Sequence, residues 1–177
     1  MRFFIFSMVL LLCFPILVLA EKPSSTSQDS RYPIEVMFAP KGGIKAKLAN
    51  LIQNAQSSID IAAYNLFLPD VTLSLVGAKT RGIRIRIILD DFGPTSEKSD
   101  FPLLQRNEIP LIMIGGLSAN GVMNHSFAIF DGKQLAIGSY RWSETGENED
   151  YSSMTFTCDP DAVKTYTSKF EQIWSGR

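Results

Sequence analysis

From Ile34 onward the apolar positions alternate between two periods. Ile34–Phe38 is a short β run that stops at Pro40 and Gly42-Gly43. Ile44, Leu48, Leu51, Ile52 and Ala55 then fall at helical spacing. Ser58–Tyr64 is a strand, and Val71, Leu75, Val76 and Ala78 lie on a helix closed by Gly82. Ile83–Leu89 alternates apolar residues with Arg84 and Arg86 and ends at Asp90-Asp91. A short helix around Leu103–Arg106 leads to a strand at Leu111–Ile114 and a loop at Gly115–Gly121. Asn124–Phe130, the turn Asp131-Gly132 and Gln134–Ser139 read as a β-hairpin. Tyr151–Thr157 is a further strand, and Ala162, Val163, Tyr166, Phe170, Ile173 and Trp174 give a closing amphipathic helix. Strands alternating with helices, then a hairpin, predict an α/β domain whose mixed β-sheet is flanked by helices on both faces.

The N-terminal pattern is different. Arg2 precedes an apolar run from Phe3 to Ala20, broken only by Ser7 and Pro15. A positive start, an apolar stretch and a small residue before Glu21 read as a signal peptide over residues 1–20, or as an uncleaved N-terminal anchor of nearly spanning length. Either way the expected location is outside the cytoplasm, periplasmic or secreted. The membrane is touched only if that segment stays attached. Residues 21–31 are polar and Ser-rich, a flexible tether, and the domain is expected over residues 32–177.

Composition narrows the function. Of 177 residues 45% are apolar, which excludes a disordered chain, and the net charge of −1 provides no global field for nucleic acid or anionic membrane. There is a single histidine, His125, so one chain cannot build a multi-His metal site; no metal and no cofactor are expected. Cys158 is the one cysteine beyond the leader and is expected to be an inert strand-end residue.

The stretch Asn124-His125-Ser126-Phe127-Ala128-Ile129-Phe130-Asp131-Gly132-Lys133, followed by Ala136-Ile137-Gly138-Ser139-Tyr140-Arg141-Trp142-Ser143, resembles the signature region of the phospholipase D superfamily. The resemblance is to its short members with one motif per chain, such as bacterial endonucleases and mitochondrial cardiolipin hydrolase. Phe38-Ala39-Pro40, Ser58–Tyr64 and Arg81–Ile85 agree with it in order. It implies the family's fold, phosphodiester hydrolysis of phospholipid or nucleic acid, and a homodimer that joins two motifs across a two-fold axis.

The catalytic residues depart from the family pattern, which runs His-x-Lys, four residues, Asp, then Gly-Ser-x-Asn. On that register Asn124 stands at the His position, Ser126 at the Lys position, Asp131 at the Asp position, Ser139 at the Ser position and Arg141 at the Asn position. The downstream Glu falls on Ser152. In the family the His attacks phosphorus while the Lys and Asn hold phosphoryl oxygens. An amide nitrogen has its lone pair delocalised and cannot form a phospho-enzyme of that kind. Ser126 retains a donor without the positive charge, and Arg141 offers a bidentate phosphate contact. His125 alternates onto the opposite strand face, with Phe127 and Ile129, and reaches the site only through a β-bulge.

Three functions follow. The first is a phosphodiester-binding protein with impaired catalysis; the others are an active hydrolase using His125 and a scaffold that binds no phosphodiester. Further expectations concern the surroundings. Asp90 caps a turn or lines the cleft mouth, and Lys79 and Arg81 complement helix ends. Arg84 and Arg86 share one strand face and either touch a phosphate or, the favoured reading, face water; Glu144, Glu147, Glu149 and Asp150 form a solvated acidic loop, and Tyr140 and Trp142 serve either a dimer interface or the core.

Overall fold

The computed structural model describes residues 32–92 and 99–176; the leader and the tether lie outside the described residues. A seven-stranded mixed sheet is built from β1 (Ile34–Ala39), β2 (Ser58–Ala63), β3 (Arg84–Asp90), β4 (Leu111–Ile114), β5 (Ser126–Phe130), β6 (Gln134–Gly138) and β7 (Ser152–Thr157). Their order is β1-β7-β6-β5-β2-β3-β4, with β2, β3 and β4 parallel and the remaining pairs antiparallel. The helices are α1 (Ile44–Asn54), α2 (Pro69–Thr80), α3 (Phe101–Arg106), α4 (Glu144–Asn148) and α5 (Pro160–Trp174).

Strand parity divides the apolar residues between two cores. Ile59, Ile61, Ala128 and Phe130 pack with α1 and α2 through Ile44, Leu48, Ile52, Val71 and Leu75. Ala62, Phe127, Ile129 and Leu135 point the other way, onto Val163 and Phe170 of α5. Phe127 meets Tyr166 edge-on at 5.0 Å, and Phe170 stacks on Trp174 at 5.8 Å. Helices therefore cover both faces, as the alternating pattern predicts. The hairpin turn has Asp131 at φ 55° and Gly132 at φ 62°, the two left-handed positions that a type I′ turn requires.

Three expectations about the surroundings are corrected, and one left open is decided. Arg84 and Arg86 do not simply face water: both pair with Asp60 on the adjacent strand, at 2.9 Å and 2.8 Å. Arg86 also bonds Glu171 of α5 at 2.6 Å and lies over the rings of Phe170 and Trp174. An aspartate on a buried sheet face needs such partners, and Arg86 carries its charge beneath the helix by stacking on aromatic faces. Tyr140 and Trp142 are fully buried, which decides between the two readings left open for them in favour of the core. The acidic loop is partly a helix. Ser143 Oγ caps α4 by accepting from Gly146 N at 2.9 Å, and Glu147 is buried. Cys158, beyond the end of β7, is exposed rather than inert in the core.

Lys79 and Arg81 do serve helix ends. Lys79 Nζ donates to the carbonyl of Asn107 at 2.6 Å, and Arg81 donates to that of Ile52 at 2.9 Å.

Candidate active site

The motif straddles strand β5, and its members go to different places. Asp131 follows the strand and points away from the chemistry. Its carboxylate accepts from the backbone N–H groups of Gln56, Ser57 and Ser58 at 2.7–3.1 Å and from Ser57 Oγ at 3.0 Å. Partial burial pushes its pKa up, but these donors outweigh that and hold it below the usual carboxylate value. Asp131 thus lies at the opposite end of β5 from Asn124 and Ser126, bonded to the backbone before β2. It is a structural acceptor that ties the α1–β2 connection to the hairpin.

At the other end, β5 begins at Ser126 rather than Asn124. The Ser126 hydroxyl donates to the carbonyl of Tyr140 at 2.7 Å and accepts from Trp142 Nε1 at 3.2 Å. Both partners belong to the core of the α1 and α2 face, so Ser126 is taken up by the scaffold. Asn124 is exposed and lies before the strand, where alternation no longer governs direction. With His125 it borders a cavity on the α5 side. His125 is half-buried, with its ring edge-on to Phe127 at 5.5 Å. Burial and the nearby Lys169 push its pKa below the ordinary value.

Across the mouth, Ser139 is exposed and its hydroxyl accepts from Ser153 N at 3.2 Å. Arg141 is exposed and held by Asp150, whose Oδ2 accepts from Nε at 2.7 Å and lies 2.6 Å from the terminal nitrogen. Ser152 starts β7 opposite Ala39, and its hydroxyl oxygen is buried with no hydrogen-bond partner among the described residues. Asp90 is fully buried: its carboxylate accepts from Phe92 N at 3.0 Å and Met123 N at 2.7 Å, fixing the approach to Asn124. It caps a turn.

Sequence reasoning missed the support behind this mouth. Glu147 accepts from Gly43 N at 3.1 Å, Lys45 N at 3.0 Å and the Tyr140 hydroxyl at 2.9 Å, joining α4 to the start of α1. Burial, then the Glu147 carboxylate, pushes the Tyr140 phenol well up. Lys45 also pairs with Glu144 at 3.0 Å and Asp70 at 3.3 Å. Much of the acidic charge beside the motif is thus neutralised locally. The only sequence signal for this was Ser143 three residues before Gly146, with Glu144 and Glu147 in the first turn of a helix too short to show periodicity.

Asn124 and Ser139 carry exposed polar groups, and Arg141 is a cation already paired with Asp150; the cavity that Asn124 lines includes neither Ser139 nor Arg141. Among the described residues no cluster of three or more His, Cys, Asp or Glu side chains is placed to hold a metal ion.

This sheet order and hairpin motif define a phospholipase D-like domain. A family model described as "Cardiolipin synthase, PLD-like domain" matches residues 48–174, and the chain belongs to that family. A mitochondrial cardiolipin hydrolase of Xenopus tropicalis is 26% identical over 130 residues, which is 73% of this chain and 60% of that protein. The chain thus spans less than two thirds of that relative. A phospholipase D of Rickettsia conorii is 26% identical over 156 residues, covering 88% of this chain and 74% of the relative. NucT from Helicobacter pylori superposes with a TM-score of 0.75 at 24% identity, over 81% of this chain and 96% of that one, a likeness of fold.

Proposed function

We propose that this chain is an exported, phospholipase D-like domain that binds phosphodiesters, of phospholipid or nucleic acid, and hydrolyses them poorly or not at all. The observation that carries this reading is the Ser126 hydroxyl, bonded at 2.7 Å and 3.2 Å to Tyr140 and Trp142. Where the family pattern has a lysine ready to meet phosphoryl charge, this chain has a group occupied by its own core. Asn124 supplies a hydrogen-bonding amide without a nucleophilic lone pair. Arg141 is the cation left for the phosphate, and the ligand must compete with Asp150 for it. Binding is therefore weak and salt-sensitive. The reading includes a homodimer, in which Asn124, Ser126, Ser139 and Arg141 of two copies approach one another across an isologous interface.

Purified protein incubated with bis(p-nitrophenyl) phosphate is expected to release nitrophenol at the rate of buffer. In a ³¹P NMR titration, dimethyl phosphate is expected to show millimolar, saturable binding that is lost in Arg141→Ala. Turnover abolished by His125→Ala would support an active hydrolase using His125 and overturn this reading. Absence of both turnover and binding would leave a scaffold only. A monomer by light scattering at tens of micromolar would remove the composite site.

A further inference from the structure

The cavity bordered by Asn124 and His125, of about 420 Å³, lies between the β4–β5 connection and the C-terminal half of α5. Its walls are apolar, from Ile114, Leu117, Val122, Met123 and Ile173. Polar groups sit at one side, where His125 and Lys169 face it. The volume is in the range that accommodates a small organic ligand.

The rim is held in shape by its own backbone. Gly116 N donates to the Gly121 carbonyl at 3.0 Å, and Gly121 N to that of Ser118 at 2.9 Å. The strands of the loop cross so closely that a Cβ on Gly116 would come within 2.4 Å of the Gly121 backbone. Leu117 is thereby held fully in solvent and Val122 about half so. Both exposed apolar side chains lie on the rim of this one cavity.

Charge selects the ligand. His125 is shifted towards its neutral form by burial and by Lys169, so Lys169 supplies the cavity's positive charge near neutral pH. The Asp91 carboxylate lies against Gly115, at the loop side. An anionic head is therefore directed to the α5 side, and an uncharged tail to the Ile114 and Val122 wall.

We propose that this cavity binds a single-chain anionic amphiphile, with its head on Lys169 and His125 and its alkyl chain between the Gly115–Gly121 loop and Ile173. Nothing in this assignment depends on the phosphodiester reading of the mouth, although Asn124 borders both.

The chain carries one histidine, so the imidazole Cε1–H signal reports on the cavity without assignment. Titrating the purified protein with sodium decanoate is expected to shift that signal saturably, at sub-millimolar concentration. Butyrate is expected to bind at least tenfold more weakly, since each buried methylene contributes. Lys169→Gln should weaken decanoate about tenfold, and Leu117→Ser, at an exposed position where folding is not at stake, severalfold. Arg141→Ala should leave decanoate binding unchanged while removing dimethyl phosphate, which separates this site from the mouth. The proposal is overturned if decanoate produces no saturable shift. It is also overturned if octyl glucoside binds as well as decanoate with Lys169→Gln indifferent, which is non-specific adsorption. If inorganic phosphate shifts the signal as strongly as decanoate, the site is an anion site without a chain pocket.

Discussion

The two ends of strand β5 carry parts of one motif and have been treated differently. At the hairpin end Asp131 matches the family residue, and four donor groups converge on it: three backbone N–H groups and one hydroxyl. At the mouth Asn124 and Ser126 replace the family's His and Lys; one is exposed and the other bonded into the core. Requirements of folding and of chemistry thus separate along only a few residues of chain. On the proposed register the residue that holds the sheet to α1 matches the family pattern, and the two proposed to meet phosphorus depart from it. A motif match in such a family is evidence for fold at one end and for chemistry at the other, and the two must be weighed separately.

The sharpest way to break this contrast is to remove the hairpin end. Asp131→Ala should cost about 3 kcal/mol in urea unfolding, because charged hydrogen bonds are lost and alanine is strained at positive φ. Asp131→Asn tolerates that φ and isolates the charge, so it should cost less and flatten the acid limb of the stability curve. The sign follows from the depressed folded-state pKa. The contribution is complete above the ordinary carboxylate value, roughly 3.9, and is lost as pH falls through the lower folded value. An acid limb identical in Asp131→Asn and in the natural chain would contradict this assignment.

At the mouth, Ser126→Ala strands a buried indole N–H and should cost about 1–2 kcal/mol, read as a lower urea midpoint. A smaller effect belongs to His125. Its folded pKa is depressed, so stability is full above the unfolded value near 6.5 and declines as pH falls below it. His125→Gln should remove that decline below about pH 6.5. Asn124→Ala and Arg141→Ala should change stability by no more than about 0.5 kcal/mol, as surface substitutions do. A large loss in either would mean that the altered residues are structural too, and the contrast between the two ends would fail.

Much of the architecture was legible because each strand of this sheet has a clear apolar period. The β2, β3 and β5 strands and helices α1 and α5 fall within a few residues of the expected places. What periodicity cannot show is pairing between distant segments. Arg84 and Arg86 alternate as a solvent-facing pair would, and only the sheet register brings Asp60 beside them. The α4 helix has five residues and no apolar stripe, so it reads as loop. The site was legible in its chemistry and not in its geometry. That Asn cannot replace a nucleophilic His follows from the residue alone. That Asn124 lies before the strand follows from where β5 starts, and the Asp90–Met123 bond near that point is a long-range contact. The bond from Ser126 to Trp142 also revises the outlook for restoring a lysine there, since the substitution removes the acceptor of a buried indole.

Restoration is nonetheless the most direct test that the fold is intact and the chemistry is missing. Phosphodiester turnover should be measured for the natural chain, Asn124→His, Ser126→Lys, the double variant and the double variant with Arg141→Asn, each verified as folded by circular dichroism. Members of one catalytic unit are strongly non-additive. Little hydrolysis is expected from the natural chain or either single variant, measurable hydrolysis from the double variant, and more with Arg141→Asn. A natural chain already as active as the triple variant, with its turnover abolished by His125→Ala, would contradict the account.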